Sequence, residues 1–264
     1  MSIGEIIAGG GLDRVESEIL AAEALGRERT WILAHPNERI TDDDRRRIDA
    51  FFRRRKSGEP VCYITGKKEF FARTFHVTPA VLIPRPSTEQ LVVSTVRFVR
   101  DPCDELREVD ANISVLARVF RKNLRPKTIV DCGTGSGCIA VTLALECPGM
   151  RVTATDISGE ALAIARGNAE RNGVAEKIEF LSGSGLQPVQ NLWEPFLIVS
   201  NPPYVPDNAA LDAEVKEFEP ASALFGGPDG TDILRSIYAQ ALNHPFCAGI
   251  LLECQSDQIE KILA

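Results

Sequence analysis

The sequence has no long apolar run. Its longest, Cys138–Leu145, is far short of the ~20 residues a bilayer helix needs. No basic-then-apolar segment opens the chain, because Glu5 stands where such a segment must be apolar. These absences exclude a membrane span and a secretory leader, and the expected location is cytoplasmic. The seven cysteines (62, 103, 132, 138, 147, 247 and 254) form no C-x-x-C pair and are odd in number. Reduced thiols are expected rather than disulfides or a zinc site. His35, His76 and His244 show no ligand spacing with one another or with cysteine, so no metal is expected. Nor is there an excess of basic charge. The 30 Lys and Arg against 37 Asp and Glu give −7, which argues against a protein that grips long stretches of nucleic acid.

What is present fits a globular protein of one or two domains: 264 residues, 44% hydrophobic and 25% charged. The charge is uneven. Residues 1–75 carry 14 basic and 13 acidic side chains, and the acidic excess lies in the remainder. This asymmetry predicts two domains.

Residues 1–60 read as helical. Leu12, Val15, Ile19, Leu20 and Ala24 recur at helical spacing up to a stop at Gly26, and Thr41 with Asp42–Asp44 reads as a cap and acidic first turn. Residues 61–87 read as short β-like runs (Val61, Tyr63 and Ile64; Phe70 and Phe71; Phe75 and Val77; Val81–Ile83) forming a hairpin connector. A helix is expected over 88–100. From 128 to the end of the 88–264 segment, strands alternate with helices: 128–131, 151–156, 178–181, 196–200 and 249–253 as strands, and 137–146, 159–172 and 230–243 as helices. That order predicts an α/β fold, a parallel sheet with helices on both faces.

Strand 128–131 runs into Cys132-Gly133-Thr134-Gly135-Ser136-Gly137 and then a helix. Glycines at such a turn let backbone approach a ligand. The dinucleotide fingerprint fails at Cys138, and no phosphate-loop lysine follows. Asp131 would repel a pyrophosphate and attract a cation, so the loop suits a ligand with ammonium and sulfonium groups and no phosphate: S-adenosylmethionine. Asp156, at the tip of the next strand, is placed to accept both ribose hydroxyls.

Strand 196–200 runs into Asn201-Pro202-Pro203-Tyr204. In a parallel sheet this turn shares a crevice with the glycine loop. The prolines fix the backbone, freeing the Pro202 carbonyl to face a ligand, and Tyr204 offers a flat face. An amide or aromatic-amine nitrogen is a poor nucleophile. Two acceptors, the Asn201 side-chain oxygen and the Pro202 carbonyl, would hold its N–H groups and aim it at the sulfonium methyl.

The sequence resembles the PrmC/HemK family, N5-glutamine methyltransferases of the Gly-Gly-Gln motif of class-I peptide chain release factors. The resemblance spans nearly the whole chain. Asn201–Tyr204 alone is shared with DNA adenine and some rRNA guanine methyltransferases. More specific are Val81–Glu89, similar to L-I-P-R-P-[DE]-T-E, and Phe218–Gly227 with Asp229-Gly230, similar to Y-E-P-x-x-A-L-x-G-G-x-D-G. Tyr63–Gly66 with Glu69-Phe70 matches the family hinge. The resemblance implies a Rossmann-like class I methyltransferase domain behind an N-terminal helical domain that recognises substrate. Gly133, Thr134, Gly135, Ser136 and Gly137 would line the cofactor with Asp131, Asp156, Ser184, Gly185 and Asn201. Asn201 to Tyr204 would hold the glutamine, with Arg85 and Glu89 bracing the wall. The product is S-adenosylhomocysteine, and a monomer is expected.

Four departures stand out. Ser87 replaces an acid. Ser184 stands where the family commonly has an acid facing the adenine amine. Residues 100–124, with acidic residues from Asp101 to Asp110, read as a solvated insertion. The family carries two further strands beyond Glu253, so the chain reads as truncated. Two alternatives stay open: a DNA or rRNA base methyltransferase, for which Arg45–Arg47 and Arg53–Lys56 are the basic cluster, and a binding protein with a decayed cofactor pocket.

Overall fold

The computed structural model describes residues 1–101, 114–121 and 123–263, and within 114–119 the backbone alone. These residues form two compact units, Met1–Lys67 with Leu211–Phe218, and Lys68–Ala210 with Glu219–Ala264.

The first unit is helical: α1 (Ile3–Gly9), α2 (Arg14–Leu25), α3 (Arg29–Ala34), α4 (Asp42–Lys56) and α5 (Val61–Thr65). The helix signals act as read. Asp13 caps α2 through Val15 N and Glu16 N, Gly26 ends it in the left-handed region at φ 62°, and the Thr41 hydroxyl accepts from Asp44 N. Ile6, Leu20, Ala24, Ile48 and Phe52 make the unit's core.

The β-like reading of Val61, Tyr63 and Ile64 is corrected, because these residues form α5. Pro60 opens it, and Gly66 closes it at φ 69°. Helix ends outweigh β-branched and aromatic composition over so few residues. Val81–Ile83 form no strand either. Val81 N donates to Thr78 O in a turn and Ile83 N to the Glu219 carboxylate, so neither joins a ladder.

A hairpin does follow, β1 (Lys67–Phe70) with β2 (Arg73–His76), and then α6 (Thr88–Arg100). Leu91, Val92, Thr95 and Val96 are buried on α6 as expected. The second unit's sheet contains β3 (Ser114–Val119), β4 (Thr128–Cys132), β5 (Arg151–Asp156), β6 (Ile178–Ser182), β7 (Phe196–Ser200) and β8 (Cys247–Cys254). Its spatial order is β3-β8-β7-β4-β5-β6. β4 to β8 are parallel, and β3 runs antiparallel to β8. The solvated-insertion reading is thus corrected over 114–119: β8 is wholly buried and offers a second edge, which β3 pairs. Most of the acidic run, 102–110, lies outside the described residues.

The remaining helices are α7 (Cys138–Glu146), α8 (Gly159–Arg171), α9 (Ala213–Phe218), α10 (Asp232–Asn243) and α11 (Ile259–Leu263). Alternation along the strands feeds two cores. Leu197, Val199 and Leu251 join α6 and α7 on one face. Phe196, Ile198, Ile250 and Leu252 join α10 on the other. This is the class I methyltransferase fold. Among the described residues no helix is long and apolar enough to cross a membrane.

Candidate active site

β4 pairs with β5 on one side and β7 on the other. The chain's winding direction reverses between β4 and β7, and in open parallel sheets ligands bind at such a point, beyond the strands' carboxyl ends. Ser200, last in β7, donates its hydroxyl to the Cys132 carbonyl at 2.5 Å, tying the two strand ends together. A cavity opens there. The loops after β4, β5, β6 and β7 line it, with residues 80–85, part of 220–223 and one face of α10.

The glycine loop has two kinds of glycine. Gly133 (φ 74°) and Gly135 (φ 55°) line the cavity, and a Cβ on either would meet nothing within 4 Å. Their backbone is bare toward the space a ligand would take. Gly137 is absent from the wall. A Cβ there would come 2.9 Å from the Ala165 Cβ, so Gly137 lets α7 and α8 pack closely. The resemblance-based cofactor role of Gly137 becomes a packing role. Thr134 and Ser136 do line the cavity. Asp131 lies beneath the loop, fully buried, accepting from the Thr134 hydroxyl at 2.6 Å and Ala140 N at 3.1 Å. Its Oδ1 has no hydrogen-bond partner. Burial, against those two bonds, pushes its carboxyl up to about 7. Asp131 therefore shapes the loop and is not on the cavity wall.

Asp156 sits at the tip of β5 as expected. Its carboxylate accepts from Gly135 N and Ser158 N, both at 2.9 Å. Next to it Ile157 is exposed at the cavity, an apolar wall that the sequence reading missed. An apolar residue directly after a strand-ending acid was the available signal. Ser184 and Gly185 line the opposite side. Gln240 on α10 holds that loop, accepting from Leu186 N at 2.9 Å.

Asn201, Pro202 and Pro203 line the cavity. Asn201 Nδ2 donates to the Thr88 hydroxyl at 2.9 Å. Tyr204 departs from expectation. Its ring packs against the core face that includes Ile198 and Leu252, it is absent from the cavity wall, and its hydroxyl donates to Glu253 at 3.0 Å. Burial and the Glu253 carboxylate push the phenol up. Tyr204 is held here as an anchor, with its ring off the cavity wall.

Glu253 went unassigned in the sequence reading. It is 2% exposed on the wholly buried β8. Burial pushes its carboxyl up, while the Thr88, Tyr204 and Ser87 hydroxyls favour its ionised form. An acid ending the apolar run Ile250-Leu251-Leu252 was the missed signal.

Arg85 lines the cavity but does not pair with Glu89. It forms an ion pair with the buried Glu219 at 2.6 Å, and the same carboxylate accepts from Ile83 N. That explains the acid in the Phe218–Gly227 motif. The glycines there serve close approach, since a Cβ on Gly226 would lie 2.5 Å from the Pro203 carbonyl. Glu89 is off the cavity wall and accepts from Phe71 N at 2.7 Å, supporting a hairpin turn in which Phe71 (φ 51°) and Ala72 (φ 56°) both sit in the left-handed region.

The site is thus a mostly apolar slot with one acid at its rim and two loops presenting backbone and amide groups. It suits a neutral or cationic organic ligand without phosphate. Cys132 and Cys138 border it, but burial pushes both thiols up to about 12, away from nucleophilic use. Among the described residues no cluster of His, Cys, Asp or Glu could hold a metal ion.

Two family models match the chain: a methyltransferase small domain over residues 106–227, and a PrmC N-terminal domain over residues 8–66. A release factor glutamine methyltransferase of Koribacter versatilis is 40% identical over 88% of this chain and 75% of its own length. Proteins of the same name from Moorella thermoacetica (39% identical, 97% and 84% covered) and Bordetella pertussis (36%, 98% and 88%) are similar along almost the entire chain. At these identities and coverages the chain is a methyltransferase and belongs to the release factor glutamine methyltransferase family.

Proposed function

We propose that the chain transfers the methyl group of S-adenosylmethionine to N5 of the glutamine in the Gly-Gly-Gln motif of class-I release factors. Gly133 and Gly135 would carry the methionine end of the cofactor, Asp156 its ribose, and Ile157, Ser184 and Gly185 its adenine. The Asn201 oxygen and the Pro202 carbonyl would accept the two N–H groups of the glutamine amide. Held this way, the nitrogen faces the methyl. Bound S-adenosylmethionine would supply an electrophilic methyl: the nitrogen–carbon bond would form as the carbon–sulfur bond breaks, leaving a thioether, and one amide proton would pass to solvent. The chain's part is positioning and stabilisation of charge developing on nitrogen.

One observation carries the reading: the Asn201 amide gives its N–H side to Thr88, which leaves its oxygen for a donor, at the cavity that the glycine loop also lines. A base methyltransferase would need a nucleic-acid face, and α4 supplies little. Arg45, Arg46, Arg47, Arg54 and Arg55 are each already ion-paired with a carboxylate of the same unit. The first unit would recognise the protein substrate. Incubation with a class-I release factor and methyl-labelled cofactor, then mass spectrometry of the Gly-Gly-Gln peptide, tests the reading. Label on the glutamine is expected, and an unlabelled peptide with bound cofactor would refute it.

A further inference from the structure

An asparagine amide has nearly the same shape whichever way it is turned, so its neighbours decide which atom faces a ligand. At Asn201 the deciding neighbour is Thr88, first residue of α6 and 113 positions away, whose hydroxyl accepts from Nδ2 at 2.9 Å. A hydroxyl free to swing its own proton toward Asn201 would favour the reversed amide just as well. Thr88 is 1% exposed, so its proton is not given to bulk water. The Thr88 hydroxyl also acts on the Glu253 carboxylate. Its Oε1 takes the Tyr204 hydroxyl at 3.0 Å and the Ser87 hydroxyl at 3.4 Å, and its Oε2 is buried with no hydrogen-bond partner.

We propose that Asn201, Thr88 and Glu253 form a one-way hydrogen-bond relay that turns the Asn201 oxygen toward the substrate amide, making Thr88 and Glu253 positioning residues for methyl transfer. The Tyr204 and Ser87 hydroxyls both donate to Glu253, which stands there as an acceptor. The Thr88 proton therefore goes to Glu253, its lone pair meets the Asn201 N–H, and the polarity cannot reverse. Burial gives the relay its force, since a misdirected donor there would be left unpaired. The inference rests on the proposed glutamine methylation.

The test uses the full chain with a class-I release factor and labelled S-adenosylmethionine. Thr88→Val keeps the shape and removes the hydroxyl. It should lower kcat about 10- to 100-fold, with KM for the release factor and cofactor affinity within about twofold. Thr88→Ser restores the hydroxyl and should return kcat to near the wild-type value. Glu253→Gln can donate to Thr88, permits the reversed relay, and should lower kcat about tenfold. A readout independent of turnover is the Asn201 side-chain amide signal in nitrogen-15 spectra, identified by its loss in Asn201→Asp. Its protons should exchange slowly in the wild type and fast in Thr88→Val. Full kcat in both Thr88→Val and Glu253→Gln would overturn the relay, as would fast exchange in the wild type. Should Thr88→Val not fold, Glu253→Gln and the wild-type exchange rate decide. A wild type that leaves release factor unmethylated would sink the parent reading, while the exchange measurement would still judge the relay.

Discussion

The loops after β4 and β7 each stand over a buried carboxylate, and the two carboxylates are served from different distances. Asp131, under the glycine loop, accepts from Thr134 and Ala140, three and nine residues onward in the same strand–turn–helix. Glu253, under the asparagine turn, arrives from β8 and gathers hydroxyls from Ser87 at the start of α6 and from Tyr204. Each keeps one buried oxygen without a partner. The difference follows from what each loop presents. A loop that offers backbone to a ligand needs its own φ and ψ values fixed, and local bonds do that. A loop that offers a side chain needs that side chain turned correctly, which takes neighbours from other strands and helices.

The comparison breaks most sharply at Asn201. Asn201→Ala removes the acceptor and leaves the prolines to hold the turn, so the methylation rate should fall about 10²–10³-fold while cofactor binding stays near normal. Asn201→Asp keeps an acceptor but adds charge beside a sulfonium. It should retain cofactor, measured by titration calorimetry, and lose most glutamine methylation. Wild-type turnover by either variant would make Asn201 a turn residue only.

The same local-against-remote division decides what could be read in the chain. Gly133, Gly135 and Asp156 were legible because their supports lie close by in sequence, within one strand–loop–strand unit. The strand 196–200 was legible because a buried parallel strand is almost continuously apolar, and 151–156 because Arg151 and Asp156 bracket the β-favouring run Val152-Thr153-Ala154-Thr155. Glu253 carried no assigned role because sheet register, with Ser200 opposite Leu252, brings it to the turn, and Thr88 none because α6 meets Asn201 across 113 positions. Arg85 finds Glu219 across 134 positions, and β3 exists because β8 has a free edge. None of these pairings leaves a local pattern. Tyr204 departs from the expected place for the same reason, since its phenol is claimed by a strand 49 residues on.

Asp131 gives the next largest effect, on stability. Its carboxyl rises from the ordinary 3.8 to about 7 in the folded chain, so the folded state binds this proton more tightly than the unfolded one. The favourable contribution is complete below pH ~4 and fades as pH rises toward 7, by roughly 2–4 kcal/mol. Asp131→Asn should flatten that slope and leave the variant relatively more stable at pH 8 than at pH 5. Urea midpoints at the two pH values measure it, and parallel slopes in both proteins would show that Asp131 is ionised throughout.

At the rim of the glycine loop, Asp156→Ala should weaken S-adenosylmethionine binding by about 1–3 kcal/mol, through lost charge-assisted bonds to the ribose. Asp156 also holds Gly135 N and Ser158 N, so part of this loss would come from a loosened loop. Asp156→Asn loses the charge and keeps one of the two loop bonds, because Gly135 N and Ser158 N use different carboxylate oxygens and an amide has only one. Calorimetry should place it between the wild type and the alanine variant, and equal affinity in all three would remove Asp156 from the cofactor site.

The smallest effect sharpens the reading of Tyr204. Tyr204→Phe keeps the ring and removes the donor, leaving Glu253 Oε1 with Ser87 alone at 3.4 Å. A buried carboxylate that loses one hydroxyl donor should lower stability by about 1–2 kcal/mol. Cofactor affinity should not change, because the ring is off the cavity wall. Tyr204→Leu removes the ring as well and should destabilise further, since that ring packs against the core beside Ile198 and Leu252. A ring that stacked on a planar ligand would give the opposite pattern: full stability in the phenylalanine variant, and a binding loss confined to the leucine one. Melting curves and calorimetry on the two variants distinguish an anchor, whose hydroxyl matters, from a platform, whose face matters.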